Sequence, residues 1–131
     1  MTTKTVIEPI VLSTLPALGA DFSGGTFAGI TTRADGTHCA VVLLPGKGEG
    51  LTWTKAKTWA KKQGGELPTR PVAAMLFANV KSALSPDWHW TADEYNASYA
   101  WLRHFYYGTQ YDYHKYHELA AVAVRLIPLS A

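Results

Sequence analysis

The stretch from Trp88 to His117 constrains the fold of this chain more than any other. It holds all seven tyrosines, four of the five histidines and three of the five tryptophans. It has no helical period, and Tyr111 and Tyr113 flank a polar residue, which predicts short strands joined by loops with a turn at Gly108. Tyrosine and histidine join an apolar ring to a polar tip, which suits a half-exposed binding surface better than a core. We therefore interpret the rest of the chain as a scaffold that displays this stretch.

The scaffold contains a predicted β-hairpin. Thr26 to Thr31 predicts a strand, Asp35-Gly36 a hairpin turn, and His38 to Leu44 a return strand. Because the return strand is apolar almost throughout, both of its faces should be covered. Pro45 to Gly50 is rich in glycine but lacks a phosphate-binding signature, so it predicts a plain connection.

Two helices are predicted after the hairpin. Thr52 is a candidate cap for a helix from Trp53 to Gln63, and Gly64-Gly65 supplies its stop. Thr69 is a candidate cap for a second helix over about Val72 to Leu84, with a proline in its first turn.

The two ends of the chain complete the organisation. Residues 1–23 predict an extended arm, since Pro9 and Pro16 exclude a helix. This arm either packs along another subunit or forms the first strand of the chain's own sheet. Residues 24–131 predict one domain, which closes with a strand from Ala120 to Pro128.

Charge and cysteine content argue against several classes of function. The net charge is +2 and the basic residues are spread along the chain, so there is no electrostatic footprint for nucleic acid. Cys39 is the single cysteine, which excludes an intrachain disulfide, and its apolar neighbours predict a buried strand residue. No run approaches the roughly 20 apolar residues of a membrane span, and no secretory signal is visible. We expect a protein made in a cytoplasm, without a nucleic-acid or membrane partner.

Three short motifs occur in an order that is typical of one family. They are Gly64-Gly65-x-Leu67-Pro68-Thr69-Arg70, Trp90-Thr91-x-x-Glu94-Tyr95 and Ala123-Val124-Arg125. With the hairpin and helices around them, they make residues 24–128 resemble the C-type-lectin-like domains of bacteria and tailed phages. Relatives of this branch include the C-terminal domain of collagen-like adhesins, the formylglycine-generating enzymes and the receptor-binding proteins diversified by retroelements.

The resemblance implies an α+β, C-type-lectin-like fold. Two helices flank a small twisted antiparallel sheet, the first and last strands pair, and a loop-rich second set of strands carries the ligand face. Arg125 would be a structural residue of the closing strand, and Trp90 and Glu94 would be core or support positions. The paired cysteines of formylglycine-generating enzymes and the calcium-binding triplets of animal lectins are absent. We therefore expect no enzymatic activity, no cofactor and no metal.

The residues support metal binding less well than they support a metal-free binding module. His114 and His117 are three residues apart, which places zinc ligands on one face only in a helix, and the tyrosine alternation indicates strands instead. Asp93, Glu94 and Asp112 could supply oxygen ligands to calcium, but nothing in their spacing demands it.

The aromatic stretch supplies the candidate site. Tyrosine rings can stack on the apolar faces of sugars while polar tips bond to hydroxyl groups. We assign Trp90, Trp101 and Phe105 to the core. The predicted ligand-binding residues are Tyr95, Asn96, Tyr99, His104, Tyr106, Tyr107, Tyr111, Asp112, Tyr113, His114 and Tyr116.

The expected function is a non-enzymatic ligand-binding module of a bacteriophage virion. It would act in the tail or baseplate as a receptor-binding or accessory protein that contacts a host-surface glycan or protein. The arm at residues 1–23 would attach it to other virion proteins or complete a homo-oligomer such as a trimer. Two alternatives remain open: a purely structural virion component that uses the tyrosine-rich face as a protein–protein interface, and a small enzyme on the same fold.

Overall fold

The computed structural model describes residues 7–130, which form an α+β arrangement of two helices and two five-stranded sheets. The first six residues of the predicted arm and Ala131 lie outside the described residues. The strands are β1 (Ile10–Val11), β2 (Asp21–Phe22), β3 (Gly25–Thr32), β4 (His38–Leu43), β5 (Gly48–Leu51), β6 (Trp88–Glu94), β7 (Tyr99–His104), β8 (Gln110–His114), β9 (Leu119–Ala121) and β10 (Val124–Ser130), and the helices are α1 (Trp53–Lys62) and α2 (Arg70–Val80).

Both sheets are mixed. The first has the strand order β1-β10-β4-β3-β2, and the second has the order β5-β9-β6-β7-β8. Most neighbours are antiparallel, but β1 and β10 pair in parallel, and so do β6 and β9. The prediction of a purely antiparallel sheet is wrong at these two contacts, because each joins strands that are separated by long stretches of chain rather than by a hairpin. Within residues 24–130 the first strand, β3, and the last, β10, do not pair with each other but lie on the two sides of β4. The last strand pairs with β1 of the preceding segment instead.

Strand β4 lies between two hydrophobic cores. Side chains from Cys39 to Leu44 are all buried and point alternately to opposite sides. The even-numbered ones pack with α1 and the second sheet, and the odd-numbered ones pack with α2. The prediction that both faces of this strand are covered is confirmed, and Cys39 is a fully buried strand residue.

Both helices begin at the predicted caps. The side chains of Thr52 and Thr69 each accept a hydrogen bond from the backbone N–H three residues on, at 3.4 Å. Helix α2 begins at Arg70, two residues before the predicted start, because the proline after it fits the first turn. It ends at Val80 and continues as one 3-10 turn, Lys81–Ala83.

Two predictions about the connections are wrong. Pro45 to Gly50 is not a plain loop, since Gly48–Leu51 forms β5 and pairs with β9. The predicted closing strand, Ala120 to Pro128, is divided between β9 in the second sheet and β10 in the first. Neither glycine nor proline marks this break, so the sequence carries no signal for it.

The segment before β3 belongs to the chain's own first sheet. Ile10 lies opposite Leu129 of β10, and Asp21 of β2 lies opposite Thr26 of β3. Of the two alternatives for the arm, these residues therefore show the second: they form strands of the chain's own sheet. Several apolar side chains of the segment nevertheless stay exposed: Ile7, Val11, Leu12 and Leu18.

The turn after α1 packs tightly on the closing strand. Glu66 and Val124 exchange two backbone hydrogen bonds of 2.8 and 2.9 Å, and Arg125 donates to the carbonyl oxygens of Gly64 and Ser23. A Cβ atom on Gly65 would lie 2.3 Å from the carbonyl oxygen of Val124. Only glycine fits this position without moving backbone.

Gly65→Ala should therefore lower the free energy of unfolding by about 3 kcal/mol, the upper end of the usual cost of overpacking. The adjacent Gly64→Ala is the matched control, because a Cβ atom there meets only the Arg125 side chain, at 3.2 Å. Its φ of +86° should cost about 1 kcal/mol. Urea unfolding measures both values. Equal losses in the two variants would contradict the steric explanation.

Candidate ligand-binding site

Strands β6, β7 and β8 place the aromatic stretch on two opposite faces of the second sheet. Leu102 of β7 lies opposite Trp90 of β6 and Tyr111 of β8. Directly opposed residues share a face, and alternate residues along a strand share it too. Trp88, Leu102, Tyr111 and Tyr113 therefore lie on one side, which we name the cleft face. Trp101, Arg103, Gln110 and Asp112 lie on the other, which we name the arginine face.

The cleft face contains an open cavity of about 340 Å³. Its lining is almost entirely apolar or aromatic, since the polar tips of two tyrosines are its main hydrogen-bonding groups. The Trp88 and Tyr111 rings meet edge to face, with centroids 6.4 Å apart. The lining residues are Trp88, Leu102, Tyr111, Tyr113 and Leu119.

Two histidines support the aromatic walls of this cleft. The His104 ring meets Trp88 edge to face at 4.9 Å between centroids. The His117 ring stacks on Tyr113 at 4.0 Å, with an interplanar angle of 18°. Each contact limits the rotation of the aromatic ring, so the cleft presents pre-positioned faces and edges.

Two indole hydrogen bonds fix β6 against the start of α1. Trp90 Nε1 donates to the carbonyl oxygen of Leu51 at 2.8 Å, and Trp53 Nε1 donates to that of Thr91 at 2.9 Å. Both tryptophans are buried. Because a buried N–H without a partner is costly, these bonds select one placement of the second sheet.

The arginine face combines two guanidinium groups with an aromatic ring. The guanidinium carbon of Arg70 lies 3.7 Å from the ring centroid of Trp101. Arg70 Nε and Arg103 Nη2 both donate to Oε1 of Gln110, at 3.1 and 3.4 Å. Burial lowers the pKa of Arg103, and the positive charge of Arg70 lowers it further.

The predicted ligand-binding residues are exposed or half-buried, but they do not share one surface. The single tyrosine-rich face expected from the sequence is divided, because neighbouring residues of a strand point to opposite sides. The cleft face holds His104, Tyr111 and Tyr113; the arginine face holds Tyr99, Asp112 and His114; the connecting loops hold Tyr95, Asn96, Tyr106, Tyr107 and Tyr116.

The core assignments hold for two of three aromatic residues. Trp90 and Phe105 are buried, whereas Trp101 is half-buried beneath Arg70. The residues of the cleft missed by sequence reasoning are Trp88, Leu102 and Leu119. Trp88 had a signal, since it alternates with Trp90; Leu119 had none, because only the pairing of β9 with β6 brings it there.

Two of the three carboxylates considered for metal binding have other partners. Asp93 accepts a hydrogen bond from the backbone N–H of Arg70 at 2.7 Å, and Glu94 pairs with Lys115 at 3.0 Å. Within residues 7–130, no group of three or more histidine, cysteine, aspartate or glutamate side chains has the arrangement of a metal site. His114 and His117 contact tyrosine rings instead.

Two other cavities of similar size have less aromatic lining than the cleft. One of about 380 Å³ lies beside β2 and is lined mainly by glycine and aliphatic residues, with Asp21 as its only charged lining residue. Another, of about 500 Å³, lies between the β3–β4 turn and the start of α2. Neither has an aromatic wall comparable to Trp88, Tyr111 and Tyr113, so the cleft is the stronger candidate site.

A buried histidine, His89 of β6, lies on the same side of the sheet as the arginine face, opposite Arg103. His89 is 1 % exposed, and its Nδ1–H donates to the carbonyl oxygen of Asp87 at 2.8 Å. This tautomer leaves Nε2 to accept a hydrogen bond from the Ser85 hydroxyl at 3.4 Å. Burial lowers the pKa of His89 to about 4. Because its Nδ1 partner is a carbonyl rather than a carboxylate, the pair lacks the orienting acid of a catalytic triad.

No protein-family profile matches the sequence, and comparison with curated proteins finds no significant match. Among residues 7–130, neither helix is long and apolar enough to cross a membrane.

Acid should destabilise the fold through His89. The unfolded histidine binds a proton near its ordinary pKa of 6.5, whereas the folded one does so only near 4. The stabilisation is fully present above pH 6.5 and is lost as the pH falls toward 4, by about 3 kcal/mol. Urea unfolding of the wild type and of His89→Gln between pH 4 and 7 isolates this effect from carboxylate titration. Parallel pH profiles for the two proteins would contradict it.

Proposed function

We propose that this chain is a non-enzymatic ligand-binding module that binds a glycan through the cleft face. The observation that carries the proposal is the cleft itself, where Trp88, Tyr111 and Tyr113 surround an apolar floor. The axial C–H groups of a sugar ring make an apolar patch that fits against aromatic faces. The hydroxyl groups of the tyrosines supply hydrogen bonds around it.

The size and position of the cleft support a small, accessible ligand. A cavity of about 340 Å³ falls within the range of small-molecule sites. It lies near the edge strand β8, so a ligand that is one part of a longer chain can enter without steric conflict with the core. This arrangement suits a sugar residue of a surface polysaccharide.

We further propose that the module has a C-type-lectin-like fold and works in a phage tail or baseplate. Two features support the fold: the two helices that precede β6, and a second sheet whose strands β6, β7 and β8 carry the aromatic stretch. The motif order Gly64 to Arg70, Trp90 to Tyr95 and Ala123 to Arg125 supports the fold as well, because it resembles that of C-type-lectin-like domains of bacteria and tailed phages. The phage setting rests on this resemblance together with the lack of a visible secretory signal. The ligand would be a glycan or protein of the host surface.

A second candidate function is a structural role in the virion. Exposed apolar side chains of the amino-terminal segment favour it: Ile7, Val11, Leu12 and Leu18. Apolar side chains at the surface of a small domain are typical of contacts with another protein. In this case the tyrosines would form a protein–protein interface, and the purified chain would assemble without binding glycans.

A glycan array with the purified chain tests the proposed function. The variant carrying Tyr111→Ala and Tyr113→Ala removes two cleft walls and should weaken binding by at least about tenfold, as the loss of central aromatic contacts commonly does. Titration of the best glycan by calorimetry gives the affinities.

The matched control carries Tyr107→Ala and Tyr116→Ala. These tyrosines are 73 % and 71 % exposed but lie outside the cleft, so their loss should leave binding unchanged. Circular dichroism confirms folding of both variants. Equal weakening in both double variants, or no glycan binding by the wild type, would refute the cleft as a sugar site. Light scattering on the same samples reports any assembly expected for the structural role.

A further inference from the structure

The arginine face has an electrostatic imbalance. Two guanidinium groups, those of Arg70 and Arg103, donate to the same neutral oxygen, Oε1 of Gln110. Two positive charges that share one amide oxygen repel each other, and an amide dipole offsets little of that repulsion. The arrangement is stable only because other contacts hold each side chain in place.

Those contacts leave hydrogen-bond donors available. Stacking on Trp101 fixes the plane of the Arg70 guanidinium group, whose Nη atoms donate to no protein group within residues 7–130. Arg103 Nη1 donates to the carbonyl oxygen of Gly108 at 2.6 Å, while its Nε atom is buried and has no partner in the described part of the chain. A pre-positioned pair with unused donors is typical of a site for an oxyanion.

Three other basic residues show a contrast. Arg33, Lys47 and Lys115 each have a carboxylate partner at 2.9 to 3.2 Å. For Arg70 and Arg103, no carboxylate among residues 7–130 lies within 4.0 Å of a guanidinium nitrogen.

Two acidic residues lie near the arginine pair without neutralising it. Asp93 directs Oδ2 to the backbone N–H of Arg70, and Asp112 lies opposite Trp101 in the ladder. Neither carboxylate forms an ion pair with the half-buried guanidinium groups, so it does not occupy their unused donors.

We propose that Arg70, Arg103 and Gln110 bind the anionic group, a carboxylate or a sulfate, of an acidic sugar residue. The sugar part of this inference rests on the proposed function. Gln110 immediately precedes Tyr111 on the edge strand β8, so the anion site and the cleft lie on the two sides of one strand. An acidic polysaccharide that crosses this edge would contact both.

The substitution Gln110→Glu tests the anion site. It replaces the shared neutral oxygen with a carboxylate of the same shape, which pairs internally with both arginines. We expect the melting temperature to rise by about 3 °C or more, because the excess charge is neutralised. We also expect anion binding to weaken by at least about tenfold, because the internal carboxylate occupies the site. Gln63→Glu, at the other glutamine of the chain, is the control for added negative charge and should do neither.

Binding is measured by ¹H–¹⁵N NMR of the arginine Nε–H groups at constant ionic strength. The probes are sodium galacturonate, sodium sulfate and neutral galactose, with chloride as the background anion. Galacturonate, sulfate or both should shift the Arg103 Nε–H resonance in the wild type and in Gln63→Glu but not in Gln110→Glu. The two anions distinguish a carboxylated from a sulfated sugar. No shift with either anion, or equal shifts in both glutamate variants, would overturn the anion site.

The cleft variant with Tyr111→Ala and Tyr113→Ala separates this inference from the proposed function. If the best glycan from the array binds this variant as it binds the wild type, and galacturonate binds the wild type but not Gln110→Glu, the anion site stands and the cleft fails as a sugar site. If a neutral glycan binds through the cleft and neither anion moves the Arg103 resonance, the proposed function stands and the anion site is refuted.

Discussion

The burial of both faces of β4 is the constraint on which the rest of this structure depends. A strand that is covered on both sides needs apolar residues at every position and a packing layer on each side. Cys39 to Leu44 meet the first requirement, and the second is met by α2 on one side and by α1 with the second sheet on the other. The closing segment repeats the pattern, since Ala121 and Ala123 enter one core while Val122 and Val124 enter the other.

The position of the second sheet follows from this packing and from two indole groups. Trp53 and Trp90 bury large apolar surfaces in the core shared with β4, and each must still satisfy one N–H group. Trp90 of β6 donates to the segment just before α1, and Trp53 of α1 donates back to β6, so the two bonds fix β6 next to the start of α1. Once β6 is fixed, β7 and β8 extend the sheet outward, and β8 becomes an edge. The tyrosines of β8 are exposed because the core ends at β7.

The edge strand β8 thus presents different chemistry on its two sides. Tyr111 and Tyr113 line an apolar, aromatic cleft on one side, and Gln110 joins two arginines on the other. Elsewhere in residues 7–130 the scaffold neutralises several of its lysine and arginine side chains locally with carboxylates. Exposed aromatic area and uncompensated positive charge therefore occur together at one edge, where a partner or ligand can reach both without disturbing the core.

The alternation of apolar residues and the positions of helix-capping residues in the sequence determined the local structure. Alternation predicted the strands, Thr52 and Thr69 predicted where the helices begin, and the apolar run of β4 predicted a doubly covered strand, because these signals depend on neighbouring residues alone. The location of a candidate site in the aromatic stretch was also visible. The sequence did not reveal the division of the closing segment between two sheets, the parallel contacts, the arrival of Leu119 in the cleft or the meeting of Arg70 with Arg103. Each depends on strands that pair across long stretches of chain, and such pairing is decided by how the layers pack around β4 rather than by any local pattern.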